Sequence, residues 1–220
     1  MKSFCIIGIG RFGRALAETL AAARKEVLVI DSDEKNIEMI ADTVDTAILG
    51  DCTDEAVLRA AGAADYDCVA LCISENINDS VMATILLREL GAKYILARAA
   101  DERHAKVVEK LGADRVVLPE RDIGRRIGLA LSHEGVQQYT EFSEDTAIVE
   151  MEVPARWVGK TLLELDVRKK MNINVITVKK KNVHKKGISV DPNAKFSAGD
   201  TVTVIGQQED IRKMLSHQRS

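Results

Sequence analysis

The sequence predicts an α/β fold in which a doubly wound parallel sheet precedes a smaller α+β domain. Two observations support this prediction. Short apolar runs typical of buried strands alternate with helical segments as far as residue 134. From residue 135 to residue 220 the alternation gives way to half-exposed strands separated by turn-rich sequence. We therefore place the first domain over 1–134 and the second over 135–220.

The first 31 residues have the order of elements that a dinucleotide-binding βαβ unit requires. An apolar strand over 3–7 is followed by Gly8-Ile9-Gly10-Arg11-Phe12-Gly13, a helical segment, and a second strand ending at Asp31. Gly8 permits a tight turn, Gly10 allows the backbone to approach a phosphate, and Gly13 allows the helix to pack closely on the strand. The helix N-terminus attracts anions, and a carboxylate at Asp31 suits ribose hydroxyls. These residues predict a Rossmann-like nucleotide-binding domain.

Arg11 adds a positive charge beside this turn, where phosphates would lie. Backbone amides already serve a diphosphate, so the arginine favours a further phosphate, as in ATP. A solvent-facing arginine in a turn is the alternative that the residues alone leave open.

The later elements continue the alternation. Further strands are predicted over 46–49, 68–73, 94–97 and 116–118, and further helices over 37–41, 58–61, 76–90, 105–111 and 120–131. In the second domain the pattern predicts strands over 149–153, 175–178 and 201–205 and a short helix over 161–169.

Composition excludes several classes of function. A net charge of −3 gives no drive towards nucleic acid, and no apolar run approaches the ~20 residues that span a bilayer. We therefore expect a cytoplasmic chain whose membrane role comes through a partner. The lysine-rich run over 179–186 is most simply a solvated surface.

The four cysteines have no spacing typical of a zinc site. Cys5, Cys68 and Cys72 lie in apolar runs and are expected in the core. Cys52, in the turn Gly50-Asp51-Cys52-Thr53, is the thiol that a ligand could reach.

Four motifs carry a resemblance to a known family. They are Ile7-Gly8-Ile9-Gly10-Arg11-Phe12-Gly13, Gly50-Asp51-Cys52-Thr53, Leu111-Gly112-Ala113-Asp114 and Pro119-Glu120-Arg121-Asp122-Ile123-Gly124. With them the chain resembles the RCK-type cytosolic regulatory subunits of bacterial Ktr/Trk potassium-uptake systems, closest to the Ktr kind. The match spans nearly the whole chain. Cys52 departs from the small residue that is common at its position.

The resemblance implies a ligand switch without catalysis, in which ATP and ADP compete for the Rossmann-like site. Asp51 and Thr53 would border the base, Arg11 would reach the γ-phosphate, and Arg98 would support the phosphates. The residues that the resemblance assigns to the nucleotide are Gly8, Gly10, Arg11, Phe12, Gly13, Asp31, Ser32, Asp51, Cys52, Thr53, Ile73, Arg98 and Glu120.

Glu120 follows a predicted strand and opens a helix. In Ktr relatives the matching glutamate helps to bind a divalent cation near the γ-phosphate. The alternative is an ordinary acidic residue that stabilises the first turn of its helix.

The second domain resembles the RCK C-terminal type, and its residues 162–176 resemble that domain's cyclic di-AMP-binding pattern. An arginine suits a phosphate or a base, and aliphatic side chains suit adenine. A surface ion pair between Asp166 and Arg168 beside core aliphatics is the alternative. The residues assigned to the messenger are Leu163, Asp166, Arg168, Asn174, Val175, Ile176 and Pro192.

The resemblance further implies a membrane potassium-translocating partner at the inner face of the cell membrane. It also implies dimers assembled into an octameric ring, whose shape the nucleotide would shift.

Two other classes use a similar first domain. An NAD(P)-dependent oxidoreductase or NAD(H)-sensing protein would share the glycine turn and Asp31, but the second domain lacks an evident proton-transfer constellation. A redox-sensing DNA-binding repressor would need a basic helix-turn-helix, and no such segment is evident in the sequence.

Overall fold

A computed structural model describes residues 1–73, 76–181 and 190–216. The chain forms two compact units, Met1–Pro119 and Glu120–Ser220. This grouping places the helix over 120–131 with the second unit, whereas we divided the chain by sequence at 134/135. The domain boundary at that position stays a prediction. Most of the lysine-rich run, over 182–186, lies outside the described residues.

The first unit contains a six-stranded parallel sheet with the strand order β3-β2-β1-β4-β5-β6, which is the Rossmann order. Ile7 pairs with Ile30 on one side and with Leu71 on the other, so the carboxyl ends of β1, β2 and β4 lie level. The predicted fold class is confirmed. The strands are β1 (Ser3–Ile7), β2 (Glu26–Asp31), β3 (Thr46–Leu49), β4 (Cys68–Leu71), β5 (Ile95–Arg98) and β6 (Arg115–Val117).

Helices connect these strands, and several begin at side-chain caps. Asp33 accepts a hydrogen bond from the Lys35 amide, and Asp54 accepts one from the Ala56 amide, so each satisfies a free N–H of its helix. The helices are α1 (Arg11–Ala22), α2 (Glu34–Ile40), α3 (Glu55–Ala60), α4 (Ile77–Glu89) and α5 (Glu102–Lys110).

Strands β1, β2 and β4 are buried on both faces, as their continuous apolar sequences predict. Cys5, Cys68 and Cys72 lie in this core, as predicted, and burial raises the pKa of the Cys5 thiol. Among the described residues, no helix is long and apolar enough to cross a membrane.

The second unit contains an antiparallel sheet with the strand order β7-β8-β10-β9. Its core surrounds Trp157 and Tyr139, both almost fully buried. The elements are α6 (Pro119–Leu131), β7 (Val136–Glu141), β8 (Thr146–Glu152), α7 (Leu162–Leu165), α8 (Val167–Met171), β9 (Ile173–Lys179), β10 (Thr201–Gln207) and α9 (Gln208–Ser216).

The structure differs from the sequence prediction at three places in this unit. The single helix predicted over 161–169 was wrong: Asp166 has a left-handed backbone, with φ of 46°, and separates α7 from α8. Strand β7 and helix α9 were not predicted from the sequence. Strand β7 is mostly polar and has a register shift between Val136 and Gln138, so its apolar alternation is weak.

One buried histidine links α4 to the loop after β5. The His104 side chain is only 2% exposed. Its Nδ1 accepts the Ala100 N–H at 3.1 Å, so in the neutral ring Nε2 carries the proton and faces Ser80 Oγ at 3.2 Å. Burial lowers the pKa of His104, against a smaller opposing effect of Asp101. The folded state therefore favours the neutral imidazole.

This arrangement predicts lower stability in mild acid. The unfolded chain binds a proton at His104 near an ordinary pKa of about 6.5, whereas the folded chain resists it, so the free energy of unfolding falls as pH drops. Urea unfolding at neutral and mildly acidic pH measures this slope. His104→Gln should flatten the slope, and His133→Gln should retain it. An unchanged slope in His104→Gln would contradict the prediction.

Candidate functional site

The glycine turn brings α1 unusually close to β1. Gly8 has φ of +89°, a left-handed conformation that favours glycine, and its N–H donates to the Ile30 carbonyl at 2.9 Å. A Cβ atom on Gly13 would lie 2.0 Å from the Gly8 carbonyl oxygen. No side chain fits between these two backbones. The first and third glycines therefore have the roles predicted from the sequence.

The N-terminus of α1 is open. Gly10 is its N-cap residue and provides no side-chain hydrogen bond. The first amide to bond back within the helix is that of Arg14, which donates to the Gly10 carbonyl at 2.9 Å. A Cβ on Gly10 would meet no described atom within 4 Å. The first turn thus presents backbone N–H groups and the positive end of the helix dipole to open space.

Asp31 connects this turn to the end of β2. Its carboxylate accepts the Ile9 N–H at 2.5 Å and the Asp33 N–H at 2.8 Å. This structural role was not evident from the sequence. A carboxylate has about four acceptor positions, so Asp31 can still accept hydrogen bonds from ligand hydroxyls.

A cleft of about 410 Å³ lies at the carboxyl ends of β1, β2 and β4. Eight predicted residues line it: Gly8, Gly10, Asp31, Ser32, Asp51, Cys52, Ile73 and Arg98. The structure adds lining residues that the sequence analysis missed, which are Ile7, Ile30, Asp33, Asn36, Gly50, Cys72, Asn76 and Asp79. Ile7, Gly50 and Cys72 adjoin residues that were predicted, whereas Asn76 and Asp79 of the segment after β4 come to the cleft through the order of the strands.

The other predicted nucleotide residues are not among the described lining residues. Arg11, Phe12 and Gly13 form the first turn of α1, beside the cleft. Thr53 donates from its N–H and its hydroxyl to Asp51 Oδ1, at 2.8 and 2.7 Å. These two hydrogen bonds lower the pKa of Asp51. Thr53 thus holds Asp51 as a charged acceptor at the rim of the cleft.

The cleft is more acidic than a phosphate site alone requires. Its described lining contains four carboxylates and one guanidinium: Asp31, Asp33, Asp51, Asp79 and Arg98. Burial, followed by the negative charges of Asp51, Asp79 and Asp31, raises the pKa of the Cys52 thiol to about 12. Cys52 is therefore a neutral thiol. The acidic part of the cleft favours ligand groups that donate hydrogen bonds, such as hydroxyl and amino groups.

Glu120 lies exposed in the first turn of α6. Among the described residues, no group of three or more histidine, cysteine or acidic side chains is arranged to hold a metal ion. The metal role of Glu120 stays a prediction.

Comparison with known proteins adds the family. The TrkA-N domain family matches residues 4–119, and the TrkA-C domain family matches residues 147–218. The Ktr system potassium uptake protein C of Bacillus subtilis (strain 168) is 38% identical over 214 residues, which cover 96% of this chain and 95% of that protein. The chain belongs to the Ktr family of potassium uptake proteins.

Solved structures support the same fold for this Ktr family member. The GsuK RCK domain superposes with a TM-score of 0.67 at 18% identity, covering 97% of this chain and 47% of that one. The GsuK channel bound to NAD gives a TM-score of 0.65 at 18% identity, covering 94% of this chain and 38% of that one. The predicted resemblance and the RCK-type fold are confirmed.

The second unit of this Ktr protein has a cavity of about 240 Å³ between α7, α8 and β9. Five residues predicted for the messenger line it: Leu163, Asp166, Arg168, Asn174 and Val175. Ile176 and Pro192 are not among the described lining residues. The Pro192 carbonyl instead accepts the Leu163 N–H at 3.3 Å. Among the described residues, Asp166 and Arg168 do not form an ion pair.

The close approach of Gly13 to Gly8 predicts a large difference between two alanine variants. Gly13→Ala should lower the free energy of unfolding by about 1–3 kcal/mol or more, because its Cβ meets a backbone oxygen that cannot move freely. Gly10→Ala, where the added methyl meets open space, should cost at most about 1 kcal/mol through a weaker N-cap. Urea denaturation compares the two. Equal losses would contradict the close packing of α1 on β1.

Proposed function

We propose that this chain is a nucleotide-sensing regulatory subunit of a potassium-translocating membrane protein and that it has no catalytic activity of its own. The observation that carries this proposal is the cleft beside the open N-terminus of α1. Backbone N–H groups favour phosphates at one end, and the carboxylates of Asp31 and Asp51 favour hydroxyl and amino groups at the other. A nucleotide combines these two chemistries in one molecule.

ATP and ADP are the nucleotides that we favour. Arg11 begins α1, is exposed, and can reach outward from the phosphate end of the cleft. A γ-phosphate is the group that most benefits from such a cation, since the helix amides serve the inner phosphates. In this proposal Glu120 assists through a divalent cation bound near the γ-phosphate.

NAD(H) is the alternative ligand. It shares the ribose and the diphosphate, and NAD is bound in the GsuK channel, 38% of whose chain superposes on this one. A third phosphate distinguishes ATP from both ADP and NAD(H). If Arg11 contacts that phosphate, the ATP hypothesis is favoured over the NAD(H) hypothesis.

Regulation follows from a shift between shapes of a homo-oligomer. Ile123, Ile127 and Leu131 lie one turn apart along α6 and are 44%, 50% and 82% exposed, which supports self-association through this helix. We propose dimers within an octameric ring that contacts the membrane subunit from the cytoplasm. ATP would favour ion flow only if it binds one ring shape more tightly than the other.

Cyclic di-AMP is the proposed ligand of the second unit. Arg168 supplies a cation, Asn174 supplies an amide, and Leu163 and Val175 supply apolar walls to one cavity. A two-fold messenger is best matched by a two-fold site, so the cavity would be completed by a second copy of the chain.

The Arg11 variant tests the nucleotide proposal. Arg11→Ala should weaken ATP binding more than ADP binding, by about 1.5–3 kcal/mol, because only ATP loses a charged hydrogen bond. Calorimetry with ATP, ADP and NADH measures the differences. Arg14→Ala is the matched control, since Arg14 lies one turn further along α1 and pairs with Glu18 at 2.8 Å. If the wild-type chain binds NADH tightly and Arg11→Ala lowers the affinities for ATP and ADP equally, the NAD(H) hypothesis is favoured.

A second variant tests the messenger. Arg168→Ala in the full chain should reduce cyclic di-AMP affinity by about 1.5–3 kcal/mol or more while ATP binding stays unchanged, because the two sites lie in different units. The wild-type stoichiometry should be one messenger per two chains. Lys169→Ala is the control, because this exposed neighbour does not line the same cavity. One messenger per chain, or no binding at all, would refute the two-fold site.

A further inference from the structure

A third cavity, also in the second unit, has features that neither proposed ligand uses. It has a volume of about 500 Å³ and lies between the turn after β8 and the helices α7 and α8. Arg156, Trp157, Lys160 and Lys170 line it. None of these four residues lines the cavity that contains Arg168. Its chemistry therefore needs a separate explanation.

Trp157 forms the buried wall of this cavity. The side chain is fully buried and packs against Phe196, with ring centroids 5.6 Å apart. Its indole Nε1–H is buried and has no acceptor among the described residues. The indole N–H can only donate, so this donor needs an acceptor that the described residues do not provide.

Arg156 is the second unusual donor. Its Nη2 donates to the Met214 carbonyl at 3.2 Å, which holds the guanidinium in place. Its Nε–H is also buried and has no acceptor in the described part of the chain. Two consecutive residues that line one cavity thus carry buried N–H donors without an acceptor among the described residues. Buried donors are normally paired, so their coincidence indicates a ligand that accepts hydrogen bonds.

The charge of the cavity specifies that ligand further. Lys160 and Lys170 are exposed and add two positive charges to that of Arg156. The one carboxylate among the described lining residues is Glu164, whose Oε2 already accepts the Thr161 N–H at 2.7 Å in the capping box of α7. The cavity is therefore cationic as well as rich in donors, and this combination suits an oxyanion.

We propose that this cavity binds the phosphate group of a small phosphomonoester or of inorganic phosphate. The Arg156 and Trp157 donors would contact the phosphate oxygens, and Lys160 and Lys170 would balance the charge. Met171, which also lines the cavity, would provide an apolar surface for a short organic group. This inference is independent of the nucleotide and cyclic di-AMP proposals.

Trp157 also provides the readout, because it is the only tryptophan in the chain. Inorganic phosphate is titrated into the full chain at constant ionic strength, with chloride as the reference anion. The expected result is a saturable change in tryptophan fluorescence and a downfield shift of the single indole N–H signal. Phosphate bound at the α1 turn in the other unit would leave the indole signal unchanged. A second titration uses glycerol phosphate. If it binds more tightly than inorganic phosphate, the ligand is a phosphomonoester, and if it binds more weakly, the ligand is the free ion.

Three variants make the test specific. Arg156→Gln and Lys170→Gln should each weaken phosphate binding at least about tenfold, as expected for a lost charge-assisted hydrogen bond. Lys170 is exposed, so its variant should fold even if Arg156→Gln does not. Lys169→Gln removes one charge from the same helix but outside this cavity, and should leave the affinity unchanged. A phosphate response no larger than that to chloride, or equal losses in Lys170→Gln and Lys169→Gln, would overturn the proposal.

Discussion

The contact between the backbones of Gly8 and Gly13 is the constraint on which the first unit depends. A methyl group at Gly13 would lie 2.0 Å from the Gly8 carbonyl oxygen, so α1 can reach this position only without a side chain. That approach places the open N-terminus of α1 at the carboxyl end of β1. The level pairing of Ile7 with Ile30 and Leu71 then brings the ends of β2 and β4 to the same place. The cleft exists because these features coincide.

Charge is distributed unequally within this cleft. Backbone N–H groups at α1 supply the positive end, while Asp31, Asp33, Asp51 and Asp79 supply an acidic wall. Such an arrangement orients a ligand that carries phosphates at one end and donors at the other. It also repels a ligand that is anionic throughout. In the proposed nucleotide site, selectivity would therefore depend on where the charges lie more than on the net charge of the cleft.

The sequence was most informative where local chemistry dominates. Apolar strands and the order of βα units predicted the fold class, and the glycine turn predicted Gly8, Gly10 and Asp31 in the cleft, because each depends on neighbours in the chain. The family resemblance supplied the other predicted lining residues, which are Ser32, Asp51, Cys52, Ile73 and Arg98. Asn76 and Asp79 were not predicted, because they follow β4 and reach the cleft only through the order of the strands. In the second unit the polar β7 gave weak alternation, and the left-handed Asp166 divided a helix that apolar spacing alone favoured.

Asp31 illustrates what a ligand gains from a preformed site. Its carboxylate already holds the Ile9 and Asp33 amides, so the glycine turn and the end of β2 are fixed relative to each other before any ligand arrives. A flexible turn would lose conformational entropy on binding, and that loss would reduce affinity. Here folding has already met this cost. Under the proposed function, the binding free energy then remains available for discriminating between nucleotides that differ in the number of phosphates.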